Sequence, residues 1–274
     1  MIISVEEAYK LYTEEDVIFA DCRFNLQDSQ WGMEQYQHRH IPNAVYFDLE
    51  KDLSGEVKST GGRHPLPSLD TFTARLAERG INRDTTVVVY CQNRAFSSRM
   101  YWLLKFIGHP NVYLMNGGIQ DWMETGYSVT KSNPIQSKSQ YGDYQIQEHL
   151  VADMPYVKQH KEEERVVLID SRSYERYLGK HEPIDHKAGH IPGAVNSDWT
   201  KILDENQLFK AKDNLKEYFM NYQDANEIIV YCGSGVTAAP NVVALWRAGF
   251  RNVRLYVGSF SDWISYEENE IETL

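Results

Sequence analysis

The apolar positions of this chain fall into two textures. Short runs rich in β-branched residues, among them Val17-Ile18-Phe19-Ala20, Val87-Val88-Val89-Tyr90, Val166-Val167-Leu168-Ile169 and Ile228-Ile229-Val230-Tyr231, have the composition of strands. Between them lie stretches of helical periodicity, such as Ser98-Arg99-Met100-Tyr101-Trp102-Leu103-Leu104-Lys105-Phe106-Ile107-Gly108. Strand runs that alternate with helical patterns predict a parallel sheet covered by helices, an α/β architecture. In the second half a helix is predicted from about Ala238 to Ala248, with Pro240 tolerated in its first turn and Gly249 available as a left-handed cap. That boundary places Cys232 at the end of a strand and just before a helix.

The pattern occurs twice. Asp21-Cys22-Arg23 returns as Asp170-Ser171-Arg172, an offset of 170 minus 21, or 149. His40-Ile41-Pro42-Asn43-Ala44-Val45 returns as His190-Ile191-Pro192-Gly193-Ala194-Val195 at an offset of 150, which is 190 minus 40. Val87-Val88-Val89-Tyr90-Cys91 returns as Ile228-Ile229-Val230-Tyr231-Cys232, and Asp121-Trp122 as Asp262-Trp263, both at 141 (232 minus 91, 262 minus 121). Collinear landmarks of this kind identify a duplication. They predict two domains, 1–130 and 144–274, joined by the Ser-, Lys- and Gln-rich stretch 131–143, which has linker composition.

Composition narrows the function. With 274 residues, 42% hydrophobic and 24% charged, the chain is long enough for two cores and is not of a disordered class. A formal net charge of -11 argues against nucleic acid or an anionic membrane as main partner, so any anion site has to be made locally. No apolar run approaches the roughly 20 residues that span a bilayer, and Met1 to Lys10 lacks the basic start and apolar stretch of a secretion signal, so a cytoplasmic location is expected. Three cysteines, Cys22, Cys91 and Cys232, are too few and too widely spaced for a disulfide framework or a zinc site, and are expected as reduced thiols. His38 and His40 lack a nearby cysteine or carboxylate arrangement and read as surface and turn histidines, so no metal is assigned.

The chemistry points to one loop, Cys232-Gly233-Ser234-Gly235-Val236-Thr237. Two glycines permit tight backbone conformations that turn successive N–H groups toward one point, where the sulfur lies. The following helix N-terminus favours thiolate over thiol, and Ser234 and Thr237 add hydroxyl donors. A thiolate held in this way can attack a sulfane sulfur, and the same cradle can hold the resulting anionic persulfide without metal or organic cofactor, in a ping-pong cycle. The competing reading is a buried structural thiol at an ordinary strand-to-helix turn.

Asp170-Ser171-Arg172, Gly189-His190-Ile191-Pro192-Gly193-Ala194, the loop Cys232 to Ala238, and Asp262-Trp263 together resemble the signatures of tandem-domain rhodaneses, and the resemblance spans the whole chain. It implies two rhodanese-like α/β domains and a sulfurtransferase that takes sulfur from thiosulfate or 3-mercaptopyruvate. The acceptor it implies is a thiol, cyanide or a thioredoxin-like protein. The loop is similar to that of mercaptopyruvate sulfurtransferases, since thiosulfate-preferring rhodaneses carry Arg-Lys where this chain has Gly233-Ser234. By the same resemblance Cys232 is the nucleophile, and Arg176 and Arg172 bind the anionic donor beside Gly233, Ser234, Gly235, Val236 and Thr237, the competing reading of either arginine being an ion pair with Asp170 or Glu175. A guanidinium suits this task because its planar fork matches a carboxylate or sulfonate-like group.

The mercaptopyruvate pattern has a second arginine before Gly-His-Ile-Pro, and it is absent from the stretch Lys180 to Lys187, where Lys180 or Lys187 is the available replacement. Gly-His-Ile-Pro itself reads as a turn that leads into a strand. The first-domain loop, Cys91-Gln92-Asn93-Arg94-Ala95-Phe96-Ser97, has no glycine and carries a bulky Phe96, so that domain is expected to be non-catalytic, and Cys22 is assigned no role. Cysteine phosphatases, some of which share this fold, need an arginine six residues after the cysteine, and here that position is Ala238. A passive persulfide carrier or a rhodanese-fold interaction protein is the alternative to an enzyme.

Overall fold

A computed structural model describes residues 1–134 and 138–274, and within them the chain forms two compact units. One comprises Met1–Gly55 and Pro67–Gln147, the other Glu56–Leu66 and Glu148–Leu274. By its contacts, then, a short segment from the first half of the sequence is part of the second unit. Of the predicted linker 131–143, residues 135–137 lie outside the described residues.

The first unit has strands β1 (Ile2–Ile3), β2 (Val17–Asp21), β3 (Ala44–Tyr46), β4 (Thr86–Tyr90) and β5 (Val112–Met115). Its helices are α1 (Val5–Glu14), α2 (Trp31–His38), α3 (Leu69–Glu78), α4 (Arg94–Phe106) and α5 (Ile119–Glu124). The second unit repeats the plan with β6 (Val151–Ala152), β7 (Val166–Asp170), β8 (Val195–Asn196), β9 (Glu227–Tyr231) and β10 (Val253–Tyr256). Helices α6 (Met154–His160), α7 (Tyr174–Tyr177), α8 (Lys212–Tyr218), α9 (Ala239–Ala248) and α10 (Ser259–Trp263) complete it. Both sheets are parallel throughout, in the orders β1-β5-β4-β2-β3 and β6-β10-β9-β7-β8, so the α/β expectation is met twice. In each sheet the strand that ends one residue before the loop cysteine, β4 or β9, is the central one, where the carboxyl end of a strand is most enclosed.

The repeated landmarks are scaffold parts. Trp122 and Trp263 are buried core residues whose indole N–H groups donate to Ser128 O at 2.9 Å and Glu270 O at 2.8 Å. His40 and His190 are buried in both units. Each stacks at 4.0 Å on a tyrosine, Tyr36 or Tyr177, and bonds that tyrosine's carbonyl through Nδ1 at 2.7 Å. His40 is therefore no surface histidine, and Gly-His-Ile-Pro is a turn nailed down by its imidazole.

Helix α9 begins at Ala239 with Pro240 in its first turn and ends on Gly249 at φ 109°, as its sequence predicts. Helix α4 instead starts at Arg94, four residues before the periodic stretch suggested (98 minus 94). Asn93 caps it by accepting the N–H of Ala95, which leaves only Gln92 and Asn93 between Cys91 and the helix.

Candidate active site

Cys232 follows the central strand β9, and six residues, 233 to 238, separate it from α9. It is buried, 1% exposed. The Gly235 N–H donates to Sγ at 3.2 Å, and the Ser259 hydroxyl stands 3.9 Å from it. Ser259 Oγ also accepts the N–H of Cys232 at 3.0 Å and donates to Tyr256 O at 2.9 Å, which locks the loop to the start of α10. Ser259 does this from a left-handed conformation, φ 57°, uncommon for a residue with a side chain. The Phe260 and Ser261 N–H groups accept no freedom either: they donate to Cys232 O and Gly233 O at 2.9 Å each.

The two loop glycines are needed for different reasons. Gly235 sits at φ 76°, and a Cβ there would collide with Val257 O, so conformation and space both exclude a side chain. Gly233 has no positive φ, and its constraint is two guanidiniums. A Cβ on it would meet Arg63 Nη2 at 2.8 Å and Arg176 Nη2 and Nη1 at 3.4 and 3.5 Å. The sequence-predicted Arg176 is thus brought to the Cys232 loop. Ser234 is also at the site, its Oγ sharing a hydrogen bond of 2.8 Å with His64 Nδ1. Val236 is buried and Thr237 half-buried at the foot of α9, and neither side chain is among the hydrogen-bond partners of Sγ.

Arg63 and His64 escaped the sequence reading. They lie in the segment Glu56–Leu66, held in the second unit when Gly61 N–H donates to Asp262 Oδ1 at 2.6 Å and Arg63 N–H donates to Ser261 Oγ at 3.1 Å. The available signal was Gly61-Gly62-Arg63-His64-Pro65, a glycine-rich turn that carries a cation and an imidazole with no partner in the repeat. Both glycines have positive φ, 98° and 81°.

Arg172 stands elsewhere. Its side chain is fully buried, donates from Nε and Nη2 to Asp170 (Nη2 at 2.6 Å), from Nη2 to Gly189 O at 2.6 Å and from Nη1 to Glu182 at 3.2 Å, and lies over the Phe260 ring. Arg23 in the first unit makes the same bonds, to Asp21 at 2.6 Å and to Arg39 O at 2.8 Å, although the loop there is collapsed. The Asp-x-Arg pair therefore ties a strand end to the Gly-His-Ile-Pro turn, and all three side-chain nitrogens of Arg172 donate to buried partners within that scaffold.

A layer of carboxylates holds the two half-buried arginines, Arg63 and Arg176. Glu182 accepts from Arg176 Nε and Nη2 at 3.0 and 2.8 Å, while Asp185 accepts from Arg176 Nη2 at 2.9 Å and from Arg63 Nη1. Burial pushes the Asp185 carboxyl above its ordinary value, against the pull of Arg63. Burial also acts on Glu182, but hydrogen bonds from Arg176 and from the Asp185 and Ile184 N–H groups outweigh it and hold that carboxyl low. The stretch Lys180 to Lys187 thus carries buried anions, and a second guanidinium beside Gly233 comes from Arg63.

The first unit's loop is built otherwise. Cys91 Sγ accepts the Asn93 N–H at 3.3 Å, and burial pushes its thiol up to about 12. Arg94, at the position of Gly235, is buried and donates to Cys91 O and Gly117 O at 2.6 and 2.7 Å, so a protein cation is packed against that loop.

Comparison with known proteins agrees with the fold. The rhodanese-like domain family matches residues 4–125 and again 153–266. The probable 3-mercaptopyruvate sulfurtransferase of Pseudomonas aeruginosa is 36% identical over 280 residues, spanning 99% of this chain and 98% of that protein. The putative thiosulfate sulfurtransferase SseB of Mycobacterium tuberculosis is 34% identical over 271 residues, 97% of this chain and 94% of that one. The crystal structure of SseA from Escherichia coli, described with the fold and mechanism of 3-mercaptopyruvate sulfotransferases, superposes with a TM-score of 0.81 at 28% identity over 95% of this chain and 98% of its own. Two rhodanese domains in tandem, each with its own parallel sheet, place this chain in the rhodanese family as a sulfurtransferase.

Proposed function

We propose that Cys232 carries the transferred sulfur as a persulfide and that 3-mercaptopyruvate is the preferred donor. The observation that carries this reading is the pair of guanidiniums, Arg63 and Arg176, beside Gly233 in the loop of the only cysteine with a glycine cradle. The donor carboxylate binds those arginines, and its thiol sulfur then faces Sγ. The Cys232 thiolate attacks that sulfur, an S–S bond forms, and the C–S electron pair leaves as the enolate of pyruvate, which takes a proton at carbon. Ser234, joined to His64 at 2.8 Å, offers its hydroxyl to the carbonyl oxygen as negative charge develops there. Thiosulfate has no carbonyl for that pair to serve. A thiol acceptor attacks the outer sulfur in the second half-reaction and returns Cys232 as thiolate. The domain 1–130 is read as non-catalytic, because its loop holds Arg94 where an anion would sit and its thiol is hard to ionise. All three cysteines are free, which suits a reducing cytoplasm.

The test is Cys232→Ser, expected to abolish transfer, with Cys91→Ser and Cys22→Ser retaining most of it. After donor treatment, mass spectrometry is expected to find about 32 Da of added sulfur on the Cys232 peptide. Sulfur found chiefly on Cys91 overturns the assignment, and a stable persulfide without turnover favours a carrier. Side-by-side kinetics with thiosulfate decide the donor.

A further inference from the structure

The two donor-facing arginines do not present bare positive charge. Arg63 and Arg176 side chains are 33% and 15% exposed, while the carboxylates that they bridge, Asp185 and Glu182, are 2% and 3% exposed. The guanidiniums are thus the accessible layer and the carboxylates lie behind them. Arg172 and Asp170, both fully buried, extend the same network through Glu182. Three guanidiniums are matched by three carboxylates, so the cluster beside Cys232 is close to neutral. Asp185 is the residue that makes it so at the donor, because it alone bonds both exposed arginines. It also stands in the stretch where the mercaptopyruvate pattern has its second arginine, so this chain has a negative charge near a place that pattern makes positive.

We propose that Asp185 determines donor specificity by offsetting the charge of Arg63 and Arg176, so that the cradle accepts a monoanionic α-keto acid and disfavours dianionic thiosulfate. The bridging carboxylate leaves enough N–H donors for one carboxylate, since Arg176 Nη1 faces Gly233 and is outside the bonds to Glu182 and Asp185. A second negative charge on the donor meets no unbalanced cation and instead feels Asp185 through a short, poorly hydrated path, where like charges repel more than in water. This inference rests on the clamp reading above and goes beyond it by naming what sets the clamp's selectivity.

The experiment compares kcat/KM for thiosulfate and for 3-mercaptopyruvate in wild type, Asp185→Asn and Arg176→Ala, each pair of donors measured on one preparation so that partial loss of folded protein cancels in the ratio. Asp185→Asn is expected to raise the thiosulfate-to-mercaptopyruvate ratio by about tenfold, the size of one charge-assisted interaction at a half-exposed site. Asp185→Glu keeps the wild-type ratio. An unchanged or lowered ratio in Asp185→Asn, including a parallel fall of both efficiencies, overturns the inference. Asp185→Ser is measured alongside it and is held to the same criterion if the asparagine variant does not fold. If Arg176→Ala weakens donor use while the ratio in Asp185→Asn stays put, the inference fails and the clamp stands. If Arg176→Ala leaves donor use intact, the clamp reading falls and the inference falls with it.

Discussion

Arg172 and Arg176 lie four residues apart (176 minus 172) and both touch Glu182, yet their surroundings give them opposite duties. Arg172 donates from each of its three side-chain nitrogens to buried partners, whereas Arg176 keeps an edge turned toward Gly233. Arg176→Ala is therefore expected to lower donor kcat/KM by roughly 10- to 150-fold, the loss of a charge-assisted contact, in a protein that stays folded because Glu182 keeps Arg172 and Asp185 keeps Arg63. Arg172→Ala leaves Asp170 as an unpaired buried carboxylate and is expected to cost about 3–5 kcal/mol of stability, readable by denaturant titration. A large kinetic effect of Arg172→Ala in a protein of unaltered stability contradicts this division. Gly233 belongs to the same scale. Grafting the Arg-Lys pair of thiosulfate-preferring rhodaneses onto positions 233 and 234 sets a Cβ 2.8 Å from Arg63 Nη2 and removes Ser234 from His64, so Asp185 is the cleaner lever on donor choice.

At the scale of elements, one strand-loop-helix design has been used twice with different loop lengths. After Cys232, which follows β9, six residues intervene before the helix, and the glycines let the loop fold back over Sγ. After Cys91, which follows β4, only two intervene and the helix begins at once. Loss of glycine and early capping by Asn93 are one event, since a helix that starts at Arg94 consumes the residues a cradle requires. The segment Glu56–Leu66 supplies to the second unit what its own repeat lacks. Gly62 is its hinge pin: at φ 81° any Cβ runs into Gly258 O. Gly62→Ala is expected to unseat Arg63 and His64 and reduce donor kcat/KM by about 10- to 100-fold, as ångström-scale misplacement of positioning groups does, with circular dichroism unchanged. Full activity in this variant shows that the segment does not position the site.

At the scale of the whole chain, stability depends on groups remote from the chemistry. His109 in the first unit is buried, with Nε2 bonded to Thr85 O at 2.9 Å and Nδ1 to the Tyr141 hydroxyl at 2.8 Å. The carbonyl can only accept, so Nε2 carries the proton and Nδ1 accepts from Tyr141. A second proton breaks that bond and puts a charge in the core, and burial accordingly lowers the imidazole from 6.5 to about 4. Between those values the unfolded chain binds a proton that the folded one refuses. The contribution is thus fully present above about pH 6.5 and is lost as pH falls toward 4, up to the order of 3 kcal/mol. His109→Gln is expected to flatten the dependence of melting temperature on pH between 6.5 and 4, and an unaltered slope removes His109 as its source.

The duplication, the parallel α/β sheets and the single glycine-cradled cysteine were all legible in the linear pattern, because apolar runs, helical periodicity and a strand-glycine-helix junction are local arrangements of the chain. Arg176 was found through resemblance, and the periodic stretch at Ser98 to Gly108 located α4 but not its start, since capping by Asn93 is a side-chain bond without periodic signature. What only the tertiary structure decided was the charge around the Cys232 loop. His64 meets Ser234 across 170 positions and Arg63 meets Asp185 across 122, and a hydrogen bond between residues so far apart leaves no trace in the spacing of either. The same holds for the full burial of Arg172 among Asp170, Gly189, Glu182 and Phe260: burial is a property of what surrounds a residue, and a sequence read along its length does not contain its surroundings.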